Sequence, residues 1–145
     1  MTRRMGLAVV ALCGVLLAAY LTLHHFGIIG TLACGTGSCE KVQTSKWATF
    51  LGVHVAIWGL LYYVLLFAVS LAAAHERYTD DPRFSLALLG LTGWGVLFTG
   101  WLIWLELFRI HAICRWCMGS AAIVAMLFVI ALLDYRAQAR TVVSE

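Results

Sequence analysis

The sequence predicts an all-α integral membrane protein: a four-transmembrane-helix bundle with a cysteine-bearing outer loop between helices 1 and 2. Three observations lead there. The 145 residues are 63% hydrophobic and only 12% charged, with a mean hydropathy of +0.92, whereas soluble domains carry roughly 25% charged residues. Four runs, 5–39, 47–74, 84–105 and 116–133, contain no Asp, Glu, Lys or Arg. Paired cysteines mark the edges of these runs, Cys34 and Cys39 in a polar break and Cys114 and Cys117 at the opening of the last one.

Each run is long enough to span, since about 20 residues at about 1.5 Å rise cross a roughly 30 Å hydrocarbon layer. Lipid offers the backbone no outside partner, so the spans are helices. The chain reads as one domain, 1–145, with helices at 5–26, 49–74, 84–107 and 114–134 and an outer loop at 27–47. Thr2-Arg3-Arg4 precede the first run as they would in a signal peptide, but its apolar core is too long and reads as a retained helix. Gly27, Gly30, Gly35 and Gly37 make the first half of the loop turn-rich, and 40–45 reads as a short interfacial helix. The single proline, Pro82, falls in a connector. The two other connectors are short, which predicts an up-down-up-down bundle.

An even number of spans puts both termini on one side. Arg3, Arg4, Arg77, Arg83, Arg136 and Arg140 fall there, and Lys41, Lys46, Arg109 and Arg115 fall opposite. The excess of cations places the termini and the 75–83 connector in the cytoplasm. The expected location is a bacterial inner membrane, with both cysteine pairs facing the periplasm. The net charge of +3 is topology signal, and no basic stripe points to nucleic acid.

Outside the cytoplasm, paired cysteines usually bond. Bridges closing gaps of four and two residues remove little chain entropy, so they make poor staples. Zinc held by thiolates, or by cysteine with His24, His25 or His111, is a second reading. A third is disulfide exchange. The Cys114-Arg115-Trp116-Cys117 pair opens a helix, where first-turn N–H groups and Arg115 suit an attacking thiolate. It also sits at the hydrocarbon boundary, within reach of a lipid-soluble quinone that takes two electrons and two protons. Trp47, Trp101, Trp104, Phe108 and Trp116 are candidates to flank its ring, or simply an interfacial belt.

The ordered set resembles the vitamin K epoxide reductase family in its short bacterial form. It comprises the loop pair Cys34 and Cys39, the stretch Cys39-Glu40-Lys41-Val42-Gln43-Thr44-Ser45, the step Leu51-Gly52 into helix 2, and the Cys114/Cys117 pair opening helix 4. The resemblance runs from the first helix to about Leu133. It implies a thiol:quinone oxidoreductase. Cys117 would meet the quinone (ubiquinone or menaquinone), by attack or charge-transfer contact, and Cys114 would resolve it. Cys39 would pass oxidation to the outside from Cys114, and Cys34 would exchange with a thioredoxin-fold protein. Ser45 would donate to a quinone carbonyl or cap the following helix. The loop pair is closer-spaced than the family's. His54 stands where many relatives have proline, and Ala48 and Ala121 stand where the animal enzymes have Asn and Tyr. Those losses favour quinone reduction over epoxide reduction. With no fused thioredoxin domain before Glu145, the partner is expected to be a separate protein. The other bacterial quinone-linked disulfide oxidases carry their two pairs in the reverse order. A non-catalytic bundle with structural bridges or metal is the remaining alternative.

Other residues have plainer readings. Cys13 reads as a small hydrophobe within helix 1. Glu106 and Arg109, three apart, read as an interfacial pair or as proton carriers. His54 could bond a quinone, relay protons, or serve as an interhelical histidine. His24, His25 and His111 could also pair on a haem. Gly59, Gly90, Gly93 and Gly95 suggest close helix packing.

Overall fold

The computed structural model describes residues 2–28, 46, 49–78, 81–111 and 115–144. Cys34, Cys39, Ser45 and Cys114, and the short helix expected at 40–45, lie outside the described residues. Helix α1 spans Thr2–His25. A two-stranded hairpin follows, β1 (Thr49–Phe50) and β2 (Val53–His54), leading into α2 (Val55–Ala74). A 3-10 turn at Glu76–Tyr78 precedes α3 (Pro82–Leu105), which ends in a π-type turn at Glu106–Ile110, and α4 covers Arg115–Ser144. All four helices are long and apolar enough to cross a membrane, so the chain is an all-α membrane bundle.

Composition hides which face of each helix turns inward, because lipid-facing and core-facing positions are both apolar. The buried positions resolve it. They step by three and four along every helix: Arg4, Leu7, Ala11, Gly14, Ala18 and Leu21 on α1; Tyr63, Leu66, Ser70 and Ala73 on α2; Ser85, Leu88, Thr92 and Gly95 on α3; Val124, Leu127, Ala131 and Asp134 on α4. This is the seam of left-handed helix packing. It is rich in small and hydroxyl residues, while Leu16, Leu71, Leu86 and Leu133 face outward. In lipid, apolar surface gives helices no reason to associate, so close approach and polar contacts must hold them. Gly14 illustrates the approach: the Tyr63 ring lies where a Cβ would stand, and Gly95 is likewise covered by the Tyr62 hydroxyl. Those tyrosines then tie helices together. Tyr62 Oη donates to Leu91 O at 2.9 Å, linking α2 to α3, and Tyr63 Oη bonds Ser120 Oγ at 2.6 Å, linking α2 to α4. Of the glycines read as packing sites, Gly95 is one, Gly93 has ordinary contact with Phe128, and Gly59 and Gly90 face open space.

One end of the bundle is closed by a buried guanidinium. Arg4 is 1% exposed. Its Nε donates to Asp134 Oδ2 at 3.3 Å, its Nη1 to Ala73 O and Tyr78 O at 2.8 Å each, and its Nη2 to Ser85 Oγ at 3.0 Å and Asp81 O at 3.3 Å. Ser85 Oγ in turn donates to Asp134 Oδ2 at 2.5 Å. The start of α1, the end of α2, the start of α3 and the Asp134 part of α4 thus meet at one residue that sequence reading treated only as a topology charge.

Two boundaries differ from the sequence expectation. Residues 49–54 form a hairpin, not the first turns of helix 2. Leu51 and Gly52 have φ of 53° and 81°, values an α-helix does not accept, and they form the two-residue turn that a right-handed hairpin twist favours. His54 then caps α2 by accepting from Ala56 N–H through Nδ1 at 3.2 Å. Helix α4 continues ten residues past Asp134, because Ala137, Gln138, Ala139 and Arg140 are good helix formers and leaving the membrane does not end a helix.

Two outcomes test this architecture. Asp134→Ala leaves a buried arginine without its anion and is expected to cost about 3–5 kcal/mol. Combining it with Arg4→Met should cost less than the sum of the two single variants, read from thermal unfolding in detergent, because the pair belongs to one network. Gly14→Ala forces a methyl against the Tyr63 ring and is expected to destabilise by about 1–3 kcal/mol, whereas Gly90→Ala should leave the midpoint unchanged or raised.

Candidate functional site

At the end opposite Arg4, α2 and α3 part. Helix α1 packs along α2 and α4, and α3 along α4, while α2 and α3 meet only sparsely. The space between them is an apolar cleft of about 730 Å³. Its floor comes from Leu17 and Leu21 of α1, its sides from Trp58 and Tyr62 of α2 and Trp94 and Phe98 of α3, and its inner wall from Cys117, Ser120 and Val124 of α4.

Cys117 is the described cysteine that the cleft contains. It lies in the first turn of α4, half-buried, packed with Leu17, Ile110 and Trp116 against Leu21 and Ala56. Cys13 is exposed on the outside of α1 and away from this site. Cys34, Cys39, Cys114 and Ser45, expected beside Cys117, lie outside the described residues. The chain nevertheless leaves α1 at His25, enters the hairpin at Thr49 and starts α4 at Arg115, all at the cleft end of the bundle.

The hairpin contributes Phe50. Its ring meets Trp58 of α2 at 6.3 Å and Phe98 and Trp101 of α3 at 6.0 and 6.2 Å, each close to edge-on. Trp58 Nε1 donates to Phe50 O at 3.0 Å, which fixes the hairpin to α2. One side chain therefore bridges the two helices where they separate. Of the aromatics that sequence reading proposed for the site, Trp101 lines the cleft. Trp104 and Phe108 pack on each other at 5.8 Å outside it, Trp116 packs on Tyr20 at 4.9 Å, and Trp47 is outside the described residues. Phe50, Trp58, Trp94 and Phe98 were missed. Nothing in a uniformly apolar helix distinguishes its lumen-facing aromatics, although Phe50 stood next to a recognised motif step.

His54 is 5% exposed and its ring stacks on His25 at 4.1 Å with 21° between planes. Its Nδ1 lone pair is engaged by Ala56 N–H. Val55 and Ala56 line the cleft and His54 does not. Among the described residues, no three His, Cys, Asp or Glu side chains gather to hold a metal ion.

Glu106 and Arg109 do not pair. The π-type turn inserts an extra residue, so positions three apart no longer share a face. Arg109 swings outward over the Trp104 ring at 5.6 Å. Ile110 turns inward onto Leu21 and Ala56, and Glu106 stays in the cleft lining, 2% exposed. His111, in the left-handed region with φ 57°, closes the turn by donating its N–H to Glu106 O.

The cleft suits a flat, lipid-soluble ring with polar atoms at its edge. Aromatic walls and few polar groups are typical of small-molecule sites, and here the polar groups include a thiol, a hydroxyl and a carboxyl. The model of the vitamin K epoxide reductase family matches residues 5–132. Quinones are the redox partners of that family, and the chemistry of this lining fits one. The match covers nearly the whole bundle, from the first turn of α1 to the Asp134 end of α4, and on that extent the chain belongs to the vitamin K epoxide reductase family and is a membrane redox enzyme of the thiol/quinone oxidoreductase kind.

Proposed function

We propose that the protein oxidises a thioredoxin-fold protein of the periplasm and passes the electrons to ubiquinone or menaquinone, so that secreted proteins acquire disulfides. The observation that carries this reading is the place of Cys117: the first turn of a membrane helix, in the wall of an apolar cleft that opens between α2 and α3. A lipid-borne acceptor reaches such a thiol without leaving the bilayer.

A quinone in the cleft supplies an acceptor for two electrons and two protons. The chain supplies the rest. Cys117 gives up the electron pair and Cys114 resolves it, leaving a disulfide between them. The loop thiols reduce that bond by exchange, Cys39 attacking Cys114 and Cys34 then pairing with Cys39. The Cys34–Cys39 disulfide takes electrons from the partner. Ser45 donates a hydrogen bond to the quinone. His54 contributes by fixing the start of α2, and hence Val55 and Ala56 in the wall. Ala48 and Ala121 lack the polar groups that epoxide reduction uses in the animal enzymes, which favours quinone as the substrate. The basic residues at the Arg4 end favour a cytoplasmic location for it, with the cysteines on the periplasmic face of a bacterial inner membrane.

Cys117→Ala and Cys114→Ala should each abolish quinone-dependent oxidation of a thioredoxin-like dithiol in proteoliposomes. A normal rate in either variant sinks the reading. Single cysteines placed at residues 28 and 78 should label from opposite faces of oriented membranes with an impermeant maleimide, residue 28 from outside. Labelling of both from one face would overturn the assigned topology.

A further inference from the structure

We propose that Glu106 is the group that carries a proton between the Cys117 thiol and a quinone oxygen in the cleft. The inference rests on the thiol:quinone reading above and deepens it. Glu106 sits in the same apolar lining as Cys117 and Ser120, and is 2% exposed. A carboxyl group so placed near the membrane interior is costly to keep and marks a functional pathway by default. Its position is also maintained by a rare device: the π-type turn that turns Arg109 out of the seam leaves Glu106 in it. Turns of this type concentrate at functional sites.

The chemistry needs such a group. As the Cys114–Cys117 bond forms, two S–H bonds break, two electrons pass to the quinone and two O–H bonds form on it. The tyrosine hydroxyls of the lining tie helices together. Tyr62 donates to Leu91 O at 2.9 Å, and Tyr63 and Ser120 hold each other at 2.6 Å. Glu106 is the carboxyl group of the lining. As carboxylate it takes the proton of Cys117 Sγ–H. As carboxylic acid it gives that proton to a quinone oxygen and is a carboxylate again. The Cys114 proton leaves to water at the mouth of the cleft, and water there supplies the proton for the second quinone oxygen. The sum is dithiol plus quinone giving disulfide plus quinol.

The test uses full-length protein in liposomes, with a short-chain ubiquinone in one arm and a short-chain menaquinone in the other. Glu106→Gln keeps the shape and removes the exchangeable proton. Single-turnover quinol formation from the reduced enzyme should fall by about 10²–10⁴-fold, with partial recovery in Glu106→Asp. Quinone affinity, read by tryptophan quenching, and quinone-free exchange between the loop cysteines and a reduced thioredoxin-like protein should stay at wild-type values. Infrared difference spectra between the dithiol and disulfide states should carry a carboxyl band that Glu106→Gln lacks. A wild-type rate of quinol formation in Glu106→Gln, or identical difference spectra, overturns the proposal. Loss of quinone affinity or of quinone-free exchange in that variant also overturns it, because the residue is then structural. Full quinone reduction by Cys117→Ala would instead remove the parent reading, an outcome that the Glu106 variants alone do not produce.

Discussion

The bundle depends on a constraint that lipid imposes: four helices that are apolar on every side gain nothing by burying apolar surface against one another. Something else must choose their faces, and the Arg4 guanidinium does so at one end. It gathers Asp134 of α4, Ser85 of α3, and the carbonyls of Ala73, Tyr78 and Asp81 where α2 turns into α3. A buried charge of this kind adds little net stability compared with a well-packed apolar residue, but it penalises every arrangement that leaves it unpaired. Its contribution is register. With α2 and α3 bound together at the Arg4 end and tied midway by Tyr62, their divergence toward the other end can be tolerated. That divergence is the cleft.

This division of labour explains what was legible in the sequence. Four spans followed from charge-free runs, because hydropathy is a local signal, and the redox class followed from the resemblance that the ordered cysteine motifs carry. Cys117 was singled out as part of a pair opening a helix, and it does lie in the first turn of α4 and in the cleft lining. The seam was not. Gly14, Ser70, Thr92 and Leu88 sit among dozens of residues equally compatible with lipid or core, and only the partners across the interface separate them. Arg4 read as a topology charge because its partner Asp134 is 130 residues away. The cleft aromatics were missed on the same ground. Trp94 and Phe98 differ from Trp104 and Phe108 only in which side of α3 they occupy.

The histidines show a different limit. His54 was singled out for its nearness to the motif step, and it does sit at the correct end of the bundle. Its chemistry is spent differently from what proximity suggests. The Nδ1 lone pair accepts the Ala56 amide, so that nitrogen caps α2. On its other side the ring stacks on His25 at 4.1 Å, which holds its plane. A residue type can be read from sequence, but the hydrogen bond that assigns its role comes from the turn that precedes it.

Two irregular stretches among the described residues, the hairpin and the π-type turn, lie at the mouth of the cleft, and each positions one side chain that regular geometry could not. The hairpin turn holds Leu51, a branched residue, in the left-handed region, at a cost of about 1–2 kcal/mol. In return β1 runs back along the bundle and carries Phe50 between α2 and α3; a helix continuing from Ala56 back through residue 49 would have no residue crossing that gap. On α3 the three-four seam of Ser85, Leu88, Thr92 and Gly95 extrapolates through 99, 102, 106 and 109. A straight helix would therefore point Glu106 and Arg109 inward together, and the two would neutralise each other inside the lining. The extra residue of the π-type turn breaks that continuation after Glu106, sending Arg109 to the Trp104 ring and replacing it with Ile110. An acidic side chain thereby stays in the same lining as the Cys117 thiol, while Arg109 leaves it. Local strain at these two points is consistent with a site whose geometry is imposed by the surrounding bundle, since neither turn would persist in an isolated segment.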